Sequence, residues 1–311
     1  MTAAHTAHAR AAESRHASPL PNDGDGPLLW VDGRRADASR PAVSVYDRGF
    51  TLADGLFETM RAYHGTVFRV DRHLDRLAAG AAVLGIAVPQ HIPDTIAAAA
   101  GTLRDLAWPD AALRLTLSRG VGPRGLAFNP HADPVTVLTV HALPPREPLL
   151  ARAVRIRTAV GRRNEFAPTA GVKTLAYTDA VVAFAQAHTA GADDALFLDT
   201  AGHLSEATAS NLFLVSGSAL RTPPLDCGVL PGITRAVILE LASTIGLHAR
   251  EEVLLPHDLA AADEAFLTGS ISELSPIARA DDRTMPNGAP GPVTARVAGA
   301  FVALVARECR T

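Results

Sequence analysis

Lys173 stands just ahead of an apolar helical run, TLAYTDAVVAFAQA, and Glu206 follows a turn at 200–202 between two short apolar strands expected at 195–199 and 211–215. A helix followed by a hairpin can bring such distant groups into one cleft. An amine that can condense with a carbonyl, facing a carboxylate that can keep a proton on a heterocycle, is the equipment for holding a carbonyl cofactor covalently and tuning its ring. Two further stretches could hold an anion. In LPGITRAVILELA, Gly232 lets the chain approach closely, and the amides of Ile233 and Thr234 open a helix with donors to spare. FLTGSISELSP repeats that chemistry, with Gly269 and Ser270 behind a strand at 265–268. Arg76 leaves the buried stripe of its own helix and can also reach an anion. Arg124 sits in RGVGPRGLAFNPHADP, a loop shaped by glycines at 120, 122 and 125 and prolines at 123 and 130.

These residues need a scaffold. From Leu28, LLWVDGRR reads as a strand, a DG turn and a return strand. VSVYDRGFTLADGLFETMRAYHGTVFRV then carries turns at 47–49 and 53–55, a strand, and a hairpin at His64 and Gly65. In DRHLDRLAAGAAVLG, Asp71 can cap a helix whose buried stripe is Leu74, Leu77, Ala81 and Leu84, with His73 and Arg76 in the adjoining sectors. A second helix is expected at 93–106, and strands at 112–118 and 135–141 resume the sheet. PPREPLL at 144–150 reads as a linker, an alternating strand at 154–160 opens a second unit, and a helix at 293–306 closes it. The expectation is an α+β protein in parts: a disordered tail at 1–26, a small α+β domain at 27–143, the linker at 144–150, and a larger cofactor-binding domain at 151–311.

Composition agrees with a folded chain built around more than one core. With 311 residues, 48% of them hydrophobic, the chain can bury two cores, and at 5% aromatics Ala, Val and Leu must fill them. A net charge of -3 gives no general attraction to nucleic acid or anionic lipid. Cys227 and Cys309 have no CxxC partner, which argues against a disulfide framework or a thiolate metal site and fits a reducing compartment. His5, His8 and His16 lack a framework of carboxylates or thiols, so no metal is expected there. No apolar run of about 20 residues could span a membrane, and no apolar core of a secretory signal is present, so the expected location is cytoplasmic.

Taken in order, DRGFTLADGLFETMR (47–61), HLDRL (73–77), GVKTLAY (171–177), LSEATASNLF (204–213), LPGITR (230–235) and TGSISE (268–273) resemble the fold type IV, class IV aminotransferases. These are pyridoxal phosphate enzymes that include branched-chain aminotransferases, D-amino-acid aminotransferases, (R)-selective amine transaminases and aminodeoxychorismate lyases. The resemblance implies a two-domain homodimer with pyridoxal 5′-phosphate between its domains. By the same resemblance Lys173 carries the cofactor and moves the substrate's proton, Glu206 pairs with the pyridine nitrogen, and Tyr177 lies near the ring hydroxyl. Arg76, Ile233, Thr234, Gly269 and Ser270 match the phosphate-binding positions. Arg124 matches the arginine that binds the substrate carboxylate in D-amino-acid enzymes, whereas Phe57 and Leu126 replace that site's tyrosine and histidine, and Ala176 replaces the asparagine of KxLN. The expected activity is transamination between D-amino acids and 2-oxoacids, with primary (R)-amines as side substrates. A lyase forming 4-aminobenzoate and a branched-chain L-amino-acid aminotransferase are the alternatives. A cofactor-free scaffold is disfavoured, because lysine, glutamate and phosphate donors are all retained.

Overall fold

The computed structural model describes residues 27–40, 43–144, 150 and 153–309. The tail expected at 1–26 and most of the linker, residues 145–149, lie outside the described residues. The chain runs β1 (Leu28–Val31), β2 (Arg34–Ala36), α1 (Arg48–Leu52), β3 (Gly55–Tyr63), β4 (Thr66–Val67), α2 (Val70–Leu84), α3 (Ile92–Asp105), β5 (Asp110–Ser118) and β6 (Val135–Ala142). It continues through β7 (Val154–Arg162), α4 (Thr178–Thr189), β8 (Asp194–Leu198), β9 (Leu204–Ala207), β10 (Asn211–Ser216), β11 (Ala219–Thr222) and α5 (Ile233–Thr244). The last elements are β12 (His248–Glu251), α6 (Pro256–Ala261), β13 (Glu264–Gly269), β14 (Glu273–Ala280), β15 (Arg283–Thr284) and α7 (Pro292–Glu308).

The first six strands form an antiparallel sheet in the order β2-β1-β6-β5-β3-β4. In β5 the alternation of Leu113, Leu115 and Leu117 with Ala112, Arg114 and Thr116 sends the leucines to a core shared with Leu77 and Ala81 of α2 and Ile96 and Leu103 of α3. The later strands form a nine-stranded mixed sheet, β12-β11-β10-β13-β14-β7-β8-β9, with β15 beside β14. One of its cores joins Phe213 and Phe266 to Ile238 of α5 and Phe301 of α7, and another gathers Leu196, Leu212, Leu267 and Ile277. Burial on both faces is why β10 and β13 read as near-continuous apolar runs.

Three local expectations change. The turn at 47–49 is the start of α1, because the buried Asp47 carboxylate accepts from Gly49 N (2.7 Å) and Ser118 Oγ (2.7 Å). Asp71 lies in the first turn of α2 but does not cap it. Arg69 takes the N-cap in the left-handed region at φ 52, and its guanidinium reaches Glu308 of α7 at 2.8 Å. His73 is not beside the buried stripe of α2 but part of it, with Leu77, Gly80 and Ala81, because Glu58 of β3 waits beneath as its partner.

The two sheets meet at β3. Phe57 N–H donates to Lys173 O and Leu175 N–H to Gly55 O, each at 3.0 Å, so the lysine segment is laid antiparallel against the start of β3. Farther along the same strand, Arg61 donates to Ile271 O (2.8 Å) and Asp110 (2.6 Å), and Tyr63 Oη donates to Glu273 (2.6 Å). These buried bonds fasten the turn between β13 and β14 to the first sheet.

Candidate active site

Between these fastenings lies a cavity of about 490 Å³, within the usual range for a small-molecule site. Its lining includes Lys173, Tyr177, Arg76 and Phe57, together with Ile233–Thr234 and Gly269–Ser270. Sequence reasoning named all of these. Lys173 Nζ lies 3.3 Å from Tyr177 Oη and 4.4 Å above the centroid of the Phe57 ring. The lysine is pushed down to about 8, first by burial and then by the charge of Arg76, against the opposite pull of Glu58 and Glu206. Close to neutral pH, part of this amine is therefore unprotonated and nucleophilic.

Arg76 faces the cavity but is not a free cation. Its Nε and Nη2 donate to Glu58 at 2.8 and 2.6 Å, and Nη1 donates to Pro231 O at 2.9 Å. Glu58 also accepts from His73 Nδ1 at 2.7 Å, since an ionised carboxylate can only accept. Burial opposes the charge on Glu58, yet the bonds from Arg76 and His73 outweigh it and hold the carboxyl below its usual range. Each Nη of Arg76 still has an N–H to offer the cavity.

Glu206, on β9, is buried behind the wall that Tyr177 and Leu230 form, and it lines an adjoining cavity of about 270 Å³ rather than the main one. Oε2 accepts from Leu230 N (3.0 Å) and Asn211 Nδ2 (3.2 Å), and Oε1 lies 3.3 Å from Arg163 Nη2. Burial pushes this carboxyl up, opposed first by the charge of Arg163.

The fold does not bring Arg124 or Leu126 to the cavity of its own chain. Both are exposed on the loop after β5, Leu126 at 85%. The cause is Arg48, a buried side chain that sequence reasoning overlooked. Its Nη1 donates to Gly125 O (3.1 Å) and Ala127 O (2.9 Å), while its Nε pairs with Asp54 at 2.8 Å. The loop is wrapped around that guanidinium. Arg114, equally overlooked, does line the cavity. Its register partner across the sheet is Thr59, which puts Arg114, Thr59 and Phe57 on one face, and its guanidinium stacks 3.8 Å from the Phe57 centroid. Strand alternation was the signal that could have found it. Among the described residues, Arg114 has no hydrogen-bonded or ion-paired partner.

The cavity suits a phosphorylated pyridine carbonyl. A side chain on Gly232 would collide with Asn211 Oδ1, and a Cβ on Gly269 would come within 2.9 Å of Ser272 Oγ, so glycine at both points keeps the neighbouring amides open to an anion. Lys173 offers the amine inside the cavity, and Glu206 holds its carboxylate just beyond the Tyr177–Leu230 wall. A separate cluster, Asp199, His203 and Cys227, brings ligand atoms within 4.8 Å of one another, but His203 and Asp199 are bonded together at 2.8 Å and burial pushes the Cys227 thiol up to about 11.

Comparison with known proteins agrees. Residues 55–280 match the family described as Amino-transferase class IV. A Methanocaldococcus jannaschii protein provisionally named a branched-chain-amino-acid aminotransferase is 37% identical over 275 residues, 88% of this chain and 94% of its own. The D-alanine aminotransferase of Bacillus licheniformis is 29% identical over 273 residues, 86% of this chain and 94% of its own. Among solved structures, the branched-chain amino acid aminotransferase of Escherichia coli matches with a TM-score of 0.82 at 26% identity, covering 92% of this chain and 96% of that one. The 4-amino-4-deoxychorismate lyase of Pseudomonas aeruginosa matches with a TM-score of 0.76 at 31% identity, covering 90% and 99%. The chain belongs to the class IV aminotransferases and is a pyridoxal phosphate-dependent enzyme of that family.

Proposed function

We propose that this aminotransferase exchanges amino groups between an α-amino acid with an apolar side chain and a 2-oxoacid, with Arg114 taking the substrate carboxylate. One observation carries the reading: Arg114 and Lys173 stand over the same Phe57 ring, at 3.8 and 4.4 Å from its centroid, and the arginine has no carboxylate partner among the described residues. A guanidinium in that state accepts a carboxylate with two parallel bonds.

When bound, pyridoxal phosphate supplies an electrophilic carbonyl and a ring that accepts the electrons left at the substrate's Cα. Lys173 would hold it covalently and, once displaced by the substrate amine, take the Cα proton and return it to the cofactor's exocyclic carbon. Glu206 would hold a proton at the ring nitrogen, and Tyr177 would orient the ring hydroxyl. Arg76, the Ile233 and Thr234 amides and the Gly269–Ser270 turn would hold the phosphate.

For the amino acid, the branched-chain L type is the reading that the M. jannaschii relative supports. A D-amino-acid reading keeps one specific support. Arg124 is exposed on a loop that also exposes Val121, Leu126 and Phe128, which suits burial against a second copy and would let the loop serve a neighbouring site. A homodimer belongs to both readings. A panel of L-leucine, D-alanine and (R)-1-phenylethylamine as donors, with product identification and a parallel assay for 4-aminobenzoate, separates them. L-leucine should react fastest; preference for D-alanine would move the carboxylate anchor to Arg124. Formation of 4-aminobenzoate with no amino transfer would replace transamination by the lyase.

A further inference from the structure

Arg163 follows β7 and is held at three points. Its N–H donates to Leu198 O at 2.8 Å, its guanidinium lies 4.4 Å from the Phe197 centroid, and Nη2 is 3.3 Å from Glu206 Oε1. Gly228, in the left-handed region at φ +71, passes so close that a Cβ there would be 3.4 Å from that of Arg163. Phe197 can stack on the guanidinium but cannot accept its hydrogen bonds, and Nε is buried without a partner among the described residues. The charge is therefore directed at Glu206.

Around Glu206 the other ionisable groups are Lys173 and Tyr177 from the segment ahead of α4 and Arg76 from α2. Arg76 is already paired with Glu58, and Lys173 loses its ammonium charge when its amine reacts. Asn211 and Leu230 N–H contact only the other oxygen, Oε2. Among the described residues, Arg163 is the one cation within 4.0 Å of Glu206.

We infer that Arg163 is a positioning residue that keeps Glu206 a carboxylate, so that the proton shared by Glu206 and the cofactor's ring nitrogen rests on the nitrogen. The inference rests on Glu206 being the ring-nitrogen partner. Without Arg163 the same single proton moves to Glu206, and a carboxylate beside a cationic ring becomes a carboxylic acid beside a neutral ring. No proton is gained or lost. The neutral ring is the poorer electron acceptor, so proton removal from Cα slows while substrate binding, made elsewhere in the cavity, is kept.

The test is ¹⁵N NMR of the full-length holoenzyme carrying cofactor labelled at the ring nitrogen, with Arg163→Met, Arg163→Lys and Glu206→Gln variants. The wild type should show a protonated nitrogen. Arg163→Met should move the signal most of the way to the unprotonated position and lower the half-reaction rate about tenfold or more with KM for the donor unchanged, and Arg163→Lys should restore most of both. If Arg163→Met binds cofactor poorly, Arg163→Gln serves in its place. A signal that moves in Glu206→Gln but not in the folded, cofactor-loaded Arg163 variants overturns the inference and leaves the role of Glu206 standing. A signal unmoved in Glu206→Gln removes the ring-nitrogen role itself, and the inference with it.

Discussion

Strand β5 and the loop that follows it each present an arginine, and the fold treats the two oppositely. Arg114 occupies an outward position of a strand whose other face is leucine, so pairing with β3 settles where it points: over Phe57, into the cavity. Arg124 belongs to a backbone organised by a residue far away in sequence, Arg48, whose guanidinium gathers the loop's carbonyls and leaves Arg124 outside. A short motif can therefore look right while the side chain that lines the cavity of the same chain stands on the preceding strand. Ladder register is the stronger guide to direction, because slipping it by one residue would expose the leucines.

The comparison breaks outright if the reacting amine is not the one that shares the cavity with Arg114. Lys173→Ala should reduce transamination by about a thousandfold or more, and borohydride treatment of the wild type should fix the cofactor on Lys173 by mass spectrometry. Labelling at another lysine would move the reaction centre.

The next effect is one of pH. Since Lys173 is pushed down to about 8, its proton is lost across a window near that value, and the free amine is what attacks the cofactor's carbonyl. Covalent cofactor uptake by the cofactor-free protein should rise about tenfold per pH unit below that point and level off above it. A rise continuing unbroken to pH 10 would mean that the cavity does not perturb this amine.

Glu58→Gln sharpens the cavity side of the comparison. It removes the charge that holds Arg76 and His73, and should weaken cofactor affinity about tenfold, read as cofactor release on dilution. Unchanged release would show that Arg76 is positioned without it. The loop side has the smallest effect. Arg48→Met should speed tryptic cleavage after Arg124 several-fold, because the carbonyls of Gly125 and Ala127 lose their shared donor. An unchanged cleavage rate would mean that the loop holds its shape without Arg48.

Much of the site was legible because its residues lie at ends of regular elements. Gly232 with Ile233 and Thr234 marks a helix start, Gly269 and Ser270 a strand end, and each reads locally. Lys173 and Glu206 also stood out, although Glu206 lies within the short strand β9 rather than ahead of β10. The rest depends on partners that no local pattern shows. Glu58 is one polar residue in GLFETMRAY, a strand buried on both faces, and only the approach of α2 gives it Arg76 and His73. Arg163 gains its meaning when the turn before α5 sets Leu230 and Gly228 beside it. Arg48 looked like a turn residue because its carbonyl partners are some 75 to 79 positions away.

The most direct test of the account sets the two arginines against each other. Arg114→Met and Arg124→Met are measured with L-leucine and with (R)-1-phenylethylamine, which has no carboxylate. If Arg114 is the carboxylate anchor, its loss should lower kcat/KM for L-leucine by roughly 30- to 150-fold, equivalent to about 2–3 kcal/mol, and change the amine reaction little, while Arg124→Met should alter either by less than about threefold. A larger loss in Arg124→Met, confined to the carboxylate-bearing donor, would contradict the account and place the anchor on the loop.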